Sequence, residues 1–323
     1  MIVATTPLRI PLGGGLTDLR AYAARYGGVT VSATIDAAAY VTVLAAHEAR
    51  YEVHYAGAFE TASRLDELRH DLVREALRAA GMERTFVRVA VWLDVAGESG
   101  LGASGAITVA LLQAFATFRG EVRDAPSLAD DAARIEVEVL GGASGYHDPH
   151  VCARGGLLRL DYDGPRVSAR EVTMTTAHRE AFERSLMLFA SGRQARTKPS
   201  LDLLSDQFER AVPLLHEIKA VAVELEAALV AGDLARVAWC IGEKQALKQR
   251  LPGHFVDAFV EDVTARVRAT GAAAQVPGGK ISGYVLVCCP DAQHDAVRAA
   301  LPELREVPFA LTHQGARAVR ISS

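Results

Sequence analysis

The feature that most constrains this chain is a glycine-rich loop at residues 97–106, which joins a predicted strand to a predicted buried helix. The strand is predicted at residues 85–95 from its β-branched residues. Residues 106–118 are so uniformly apolar that a helix there must be buried on most sides. Glycines let backbone N–H groups turn inward, and the helix N-terminus adds a partial positive charge. The loop is therefore predicted to cradle a phosphate group without basic side chains.

Several known loop types compete for this sequence. A Walker A loop needs a lysine and a hydroxyl residue at its end, but Ala103 follows Gly102. The spacing Gly100-x-Gly102-x-x-Gly105 matches the dinucleotide fingerprint, yet a polar stretch follows the helix where a second parallel strand is required. The end of the loop also resembles a degraded nucleophile elbow around Ser104, but the strand ends too early for one. A plain flexible connector is the remaining alternative.

Strand and helix patterns fill the whole chain of 323 residues, which is about twice the length of a typical domain. The first half is predicted to contain strands at 2–10, 29–35, 40–45, 85–95 and 155–161 and helices at 18–26, 65–80, 106–118 and 127–140. The second half is predicted to contain strands at 186–190 and 281–289, a final strand pair, and helices at 200–230, 234–249, 255–270 and 291–300. The pattern shifts at Asp163-Gly164-Pro165. We therefore predict a mixed α+β fold with domains at residues 1–165 and 166–323.

Composition excludes several classes of function. The chain has 35 basic and 39 acidic residues and a net charge of −4, which argues against binding to nucleic acid or to an anionic membrane surface. Its four cysteines have no CxxC spacing, and the N-terminus lacks the basic region of a signal peptide. The uncharged stretch 99–118 begins in a loop, so its helix is too short to cross a bilayer. We expect a soluble cytoplasmic protein, and the sequence leaves open whether it forms a homodimer.

The glycine-rich loop resembles the second motif of the GHMP kinases, the superfamily of galactokinase, homoserine kinase, mevalonate kinase and phosphomevalonate kinase. The segment Ser99–Gly102 and Ser104 match that motif, whereas Ala103 and Gly105 replace two of its usual serine or alanine residues. Other segments resemble one branch, the D-glycero-D-manno-heptose 7-phosphate kinases, in the same order along the chain. These segments are Pro7–Ile10, Gly13–Leu19, Ile135–Gly141, Gly145–Asp148, Gly155–Gly156, Glu243–Lys248 and Gly278–Gly283.

This resemblance implies the two-domain GHMP kinase fold. The N-terminal domain would be an α/β domain like domain 2 of ribosomal protein S5, and the C-terminal domain would be ferredoxin-like with added helices. The resemblance also implies an enzyme that uses ATP and Mg²⁺ to phosphorylate an alcohol group of a small molecule. The residues expected to bind the nucleotide are Ser99, Gly100, Leu101, Gly102, Ala103, Ser104 and Gly105.

The resemblance gives four side chains a catalytic role. Ser104 and Glu136 would bind Mg²⁺, and two protein oxygens suffice because Mg²⁺ keeps water and phosphate ligands. Asp148 is the candidate general base, and Arg9 is the cation that would keep it ionised. A surface arginine is the alternative for Arg9. A solvated helix face is the alternative for Glu136, and only the resemblance prefers Glu136 to Glu138, since residues two apart lie on different helix faces.

Five residues resemble positions that contact the substrate in this superfamily: Gly14, Gly15, Thr17, Asp18 and Gly283. A carboxylate such as Asp18 can accept hydrogen bonds from two sugar hydroxyls. Thr17 and Asp18 fit equally well as the cap of the helix predicted at 18–26.

Two further clusters have competing explanations. His147 and His150 have the HxxH spacing of some transition-metal sites, although no third ligand is evident nearby. Arg193, Arg196 and Lys198 form a small basic cluster that would suit a second phosphate on the substrate. A solvated surface is the alternative explanation for both clusters.

The sequence departs from the heptose kinase branch in two places. Gly283 is followed directly by Tyr284–Val287, where the branch has a run of small residues, and Tyr146 and His147 replace a Lys-Gln pair before Asp148. A family member that acts on a different sugar phosphate would fit both departures.

The leading prediction is therefore phosphorylation of the anomeric C1 hydroxyl of a heptose 7-phosphate or a similar higher-sugar phosphate. A kinase of a hexose such as fucose or galactose, or of a non-sugar alcohol, is the alternative of the same class. Alternatives of other classes are a catalytically weak nucleotide or metabolite sensor, and a serine hydrolase that uses Ser104, Asp148 and a histidine such as His313.

Overall fold

The computed structural model describes residues 1–95, 99–142, 145–193, 198–253, 255–278 and 283–321. The described strands are β1 (Ile2–Gly13), β2 (Gly28–Ala45), β3 (Tyr51–Tyr55), β4 (Ala58–Ala62), β5 (Val87–Leu93), β6 (Leu157–Asp163), β7 (Arg166–Glu171), β8 (Leu186–Ala190), β9 (Ala273–Gln275), β10 (Tyr284–Cys288), β11 (Arg305–Glu306) and β12 (Arg317–Arg320). The described α-helices are α1 (Arg20–Tyr26), α2 (Asp71–Ala79), α3 (Ala103–Arg119), α4 (Ala125–Arg134), α5 (His147–Arg154), α6 (Thr176–Arg184), α7 (Lys198–Asp206), α8 (Phe208–Ala231), α9 (Leu234–Arg250), α10 (Ala258–Ala269) and α11 (His294–Ala300). A π-helical segment, Ile135–Val139, continues α4, and short 3₁₀ turns lie at Leu65–Glu67 and Asp291–Gln293.

The strands form two sheets. The larger sheet has the order β12-β1-β2-β5-β3-β4, and β6 and β7 extend it from the other half of β2. Its pairs are antiparallel except for β3 with β5. The smaller sheet has the order β11-β8-β10-β9. The predicted mixed α+β fold with two layers is thus confirmed.

Strand β2 organises the larger sheet because it is 18 residues long and pairs with three neighbours. The sequence predicts two separate strands at 29–35 and 40–45, but the intervening alanines continue the extended backbone. Strand β1 pairs along the length of β2, with register shifts at Pro7/Arg9 and at Pro11/Gly13. Proline cannot donate to a sheet ladder, so such irregularities are expected beside Pro7 and Pro11. Arg9 lies between the two shifts.

Helix α3 is the buried helix that the sequence predicts after the glycine-rich loop. Its apolar residues lie on both sides of the axis and are divided between two hydrophobic clusters of the larger sheet. The long helices α8 and α9 cover the other side of β1 and β2, where Leu12 and Val31 share a cluster with Leu225 and Ile241. The end of the glycine-rich loop that leads into α3 is therefore fixed by a packed element.

Several elements differ from the sequence-based expectation. The hairpin of β3 and β4 was not predicted, and the predicted helix at 65–80 begins as a 3₁₀ turn before α2. Residues 147–154 form helix α5, which was not among the helices predicted from the sequence. The turn at residues 164 and 165 joins β6 to β7 inside the larger sheet, and β12 returns to pair with β1. Among the described residues, no helix is long and apolar enough to cross a membrane.

Candidate active site

The glycine-rich loop approaches other backbone segments so closely that side chains would not fit. Gly102 has a φ of 77° and precedes the first turn of α3, and a Cβ on it would stand 3.0 Å from Cγ of Arg9. A Cβ on Gly105 would stand 2.7 Å from Cβ of Asp148. A Cβ on Gly100, which has a φ of 79°, would stand 2.6 Å from the carbonyl oxygen of Pro277. These glycines allow the N-terminus of α3 to lie against the candidate catalytic residues.

Arg9, which is buried, and Asp148, which is partly buried, form an ion pair, although 139 positions separate them in the sequence. Nε and Nη2 of Arg9 donate to Oδ1 of Asp148 at 2.8 and 2.5 Å. Nη1 of Arg9 donates to the carbonyl oxygen of Gly100 at 2.7 Å, and the backbone N–H of Arg9 donates to the carbonyl oxygen of Leu101. The predicted association of these two residues is present, and the same arginine also holds the glycine-rich loop.

Asp148 lies in the first turn of α5. Burial by itself raises the pKa of this carboxyl, but the Arg9 guanidinium and the adjacent His147 outweigh burial and bring the pKa well below its usual range. His147 is buried, its Nδ1 lies 3.2 Å from Oδ1 of Asp148, and its Nε2 lies 2.7 Å from Oγ of Ser32. The carboxylate is therefore ionised and oriented from two sides.

Glu136 is the buried acid of the π-helical segment, and Glu138 is exposed. Burial raises the pKa of Glu136 to about 7, and the nearby Ser104 side chain partly opposes this rise. Oε1 of Glu136 is buried and has no hydrogen-bond partner among the described residues. A buried carboxylate oxygen without a partner beside a serine hydroxyl suits a hard divalent cation, and Ser104 and Glu136 are brought together as predicted.

The two candidate substrate residues of the opening motif have different environments. Oγ1 of Thr17 donates to the carbonyl oxygen of Val29 at 2.9 Å, so this hydroxyl ties its loop to β2. Asp18 is buried, and a Cβ on Gly145 would stand 2.0 Å from its Oδ2. Burial raises the pKa of Asp18, and His147 partly opposes that rise. Neither residue caps α1, which begins at Arg20 after Leu19 without a side-chain cap.

Glycines of both chain halves complete the predicted site. Gly14 and Gly15 have φ values of 71° and 73°, and a Cβ on Gly14 would stand 2.0 Å from the carbonyl oxygen of Val29. Gly283 packs on the glycine-rich loop, since a Cβ on it would stand 2.6 Å from the carbonyl oxygen of Ser99. Residues 279–282 of the last motif lie outside the described residues.

Two lysines of α9, Lys244 and Lys248, reach this region, and neither was predicted from the sequence to have a role. Both are buried, on the helix face that also carries Cys240 and Ile241. Nζ of Lys248 donates to the carbonyl oxygens of Val276 and Gly278 at 3.1 and 2.7 Å, so it holds the segment that contacts Gly100. The signal that would have found these lysines is their spacing of four on an otherwise apolar helix face.

The alternative chemistries find less support in the geometry. His147 and His150 contact different partners, and no group of three His, Cys, Asp or Glu suited to a metal occurs within the described ranges. His313 is exposed and contacts Arg179, so it does not join Ser104 in a hydrolase triad. Arg193 lies over the ring of Phe259, while Arg196 and the side chain of Lys198 lie outside the described residues.

Comparison with known proteins agrees with this geometry. Residues 69–156 match the GHMP kinases N terminal domain, a segment that includes the glycine-rich loop, Glu136 and Asp148. This match and the shared fold confirm the resemblance to the GHMP kinases and the fold class that were drawn from the sequence.

Among individual proteins, the chain is 21% identical over 332 residues to the D-glycero-alpha-D-manno-heptose 7-phosphate kinase of Campylobacter jejuni, with 98% of each chain covered. Its fold matches that of a D-glycero-D-manno-heptose 1-phosphate kinase from Bacteroides thetaiotaomicron, with a TM-score of 0.81, 24% identity and full coverage of both chains. It also matches the Streptococcus pneumoniae phosphomevalonate kinase in complex with phosphomevalonate and AMPPNP, with a TM-score of 0.79, 13% identity, and 96% and 100% coverage.

Proposed function

We propose that this protein is a cytoplasmic, ATP- and Mg²⁺-dependent kinase that phosphorylates the anomeric C1 hydroxyl of a heptose 7-phosphate or a related higher-sugar phosphate. The observation that carries the proposal is the partly buried ion pair of Arg9 and Asp148 beside the N-terminus of α3. This arrangement supplies what phosphoryl transfer requires, which is an anion site, an oriented carboxylate for the nucleophile, and little exposure to water.

The nucleotide phosphates would lie against the backbone of residues 99–105. Inward N–H groups and the positive end of the helix dipole stabilise an anion locally, so the net charge of −4 does not oppose ATP binding. Arg9 supports this site indirectly, because its guanidinium fixes both the carbonyl of Gly100 and the carboxylate of Asp148.

Mg²⁺ would be held by Ser104 and Glu136, whose donor set and partnerless Oε1 fit a hard cation. When bound, it would neutralise charge on the β- and γ-phosphates. The protein's own contribution is a carboxylate with a pKa near 7, which ionises readily when a cation takes the place of its proton. Thr108, whose hydroxyl donates to the carbonyl oxygen of Ser104 at 2.9 Å, helps to fix the serine.

Asp148 would accept the hydrogen bond of the attacking hydroxyl. Because Arg9 and His147 lower its pKa, this carboxylate is a weak base that stays ionised over the physiological range. In a loose transition state the attacking oxygen becomes acidic only late, so orientation of the hydroxyl precedes proton transfer to Oδ2 or Oδ1. Asp18 and the glycines at 14 and 15 would line the acceptor site next to it.

Two of the similar proteins are heptose phosphate kinases, and this similarity supports a heptose phosphate as the acceptor. The direct passage from Gly283 into β10 distinguishes this chain from that branch, and it motivates two further candidates, a hexose kinase and a weakly catalytic sensor. A lactococcal galactokinase complexed with galactose has the same fold, with a TM-score of 0.74.

The test is ADP release from Mg-ATP over a panel of acceptors, namely heptose 7-phosphate, an octose phosphate, fucose, galactose and homoserine. Turnover with the heptose or octose phosphate is expected, and phosphorus NMR of the product identifies the phosphorylated hydroxyl. Asp148→Asn is expected to lower kcat by about 10²- to 10⁴-fold with ATP affinity retained. Asp163→Asn, at an exposed position on β6, is the matched control. An unchanged kcat in Asp148→Asn would contradict its role, and tight ATP binding without turnover of any acceptor would favour the sensor.

A further inference from the structure

Lys244 is a buried lysine in the middle of α9 to which the proposed chemistry gives no task. Its side chain is 7% exposed, and it points at the glycine turn of the opening motif, where a Cβ on Gly15 would stand 3.9 Å from its Cε. Arg9, Lys248 and Asp18 all lie close enough to influence its charge. The ammonium group is thus placed beside the proposed acceptor site.

The described neighbours leave this ammonium poorly satisfied. Its one hydrogen bond to the described part of the chain goes to the carbonyl oxygen of Pro11 at 3.4 Å, near the upper limit for such a bond. Within the described ranges it forms no ion pair, so Asp18 is more than 4.0 Å away. Lys248, one turn further along the helix, differs because it donates to two carbonyl oxygens at 2.7 and 3.1 Å. Burial lowers the pKa of Lys244 well below its usual range.

A buried charge that lacks close partners destabilises the folded protein unless a ligand satisfies it. Asp18, which influences the charge of Lys244, presents the complementary case, since it is a buried carboxylate whose pKa is raised by burial. When both groups are ionised they have opposite charge, yet they form no ion pair with each other. A polar acceptor molecule can accept a hydrogen bond from such an ammonium group and donate one to such a carboxylate.

We infer that Lys244 is a specificity-determining residue that binds the acceptor together with Asp18. The ammonium group donates to one oxygen of a polyhydroxylated acceptor, and the carboxylate accepts from a neighbouring hydroxyl. This inference rests on the proposed function, because it assigns a further contact to the same acceptor site. Lys248, by contrast, has the close carbonyl partners that are typical of a structural lysine.

The test compares Lys244→Met with the matched control Lys219→Met. Lys219 is half-buried on α8 and donates to the carbonyl oxygen of Tyr26, outside the site. With heptose 7-phosphate as acceptor, Lys244→Met is expected to raise the acceptor KM by about 10- to 100-fold, the loss of one charge-assisted hydrogen bond, while the KM for ATP stays within about twofold. Its Tm is expected to rise, because methionine fills the volume without a buried charge.

Monodeoxy analogues of the acceptor locate the contact. One analogue, which lacks the hydroxyl that contacts Lys244, is expected to have a higher KM than the full acceptor with the wild type. With Lys244→Met, the KM of that analogue and the KM of the full acceptor are expected to be equal. A lowered Tm with an unchanged acceptor KM would overturn the inference and show that Lys244 supports the fold. A wild type that turns over no acceptor in the panel would refute the proposed function instead, so the two failures are distinguishable.

Discussion

Glu136 gives the sharpest test of the site, because its burial links stability, pH and the proposed cation. The pKa of this carboxyl rises from 4.5 to about 7 on folding, chiefly through burial. Between these values the unfolded chain releases the proton while the folded protein keeps it, so wild-type stability falls as pH rises through this window. The difference between the two pKa values corresponds to a fall of roughly 3 kcal/mol in the free energy of unfolding of the wild type across this window.

Glu136→Gln removes this titration and keeps the shape of the side chain. We therefore expect the stability of the variant, relative to wild type, to grow by roughly 3 kcal/mol between pH 4.5 and pH 8 in the absence of divalent cations. Urea unfolding at a series of pH values in EDTA measures this difference. The same substitution is expected to abolish the gain in ADP affinity that Mg²⁺ gives to the wild type, measured by titration calorimetry.

Glu138→Gln is the matched control, since Glu138 lies two residues away on the same π-helical segment and is exposed. It is expected to leave both the pH dependence of stability and the effect of Mg²⁺ unchanged. A stability difference for Glu136→Gln that does not vary with pH would refute the burial argument. A retained effect of Mg²⁺ on ADP affinity would refute the assignment of Glu136 as a cation ligand.

Three further substitutions test the geometry around the loop. Arg9→Gln removes the cation that lowers the pKa of Asp148, so the acid limb of the pH profile of kcat/KM, at saturating Mg²⁺, should move to higher pH than in the wild type. Gly105→Ala places a Cβ 2.7 Å from Cβ of Asp148 and should lower kcat in a protein that still folds. Its control is Gly242→Ala, inside α9, where the nearest contact of a new Cβ is at 3.5 Å. This control should preserve activity and raise the free energy of unfolding by about 0.5–1 kcal/mol. Thr17→Val removes a hydroxyl bonded to the backbone of β2 and should lower the free energy of unfolding by about 1 kcal/mol, as measured in urea.

The parts of the protein that the sequence predicted best are those made by consecutive residues. The loop at 97–106 and helix α3 could be recognised because glycines and a continuous apolar run lie side by side in the chain. Strand β8 was placed at its observed limits, Leu186–Ala190, because a short apolar run is bounded by polar residues on at least one side. Helix α5 was missed, since His147-Asp148-Pro149-His150 has no helical hydrophobic periodicity and its burial depends on neighbouring elements.

The sequence by itself predicted the proposed anion cradle, because a cradle of backbone amides needs only the conformational freedom of nearby glycines and the start of a helix. The tertiary structure decided which charged side chains lie next to this cradle. The choice between Glu136 and Glu138 depends on which side of a π-helical segment is covered, and the pair of Arg9 with Asp148 joins β1 to α5. Lys244 enters the site from α9 in the other half of the chain. The pKa values of Glu136, Asp148 and Lys244 depend on burial and on partners distant in sequence, and both exist only when the chain is folded.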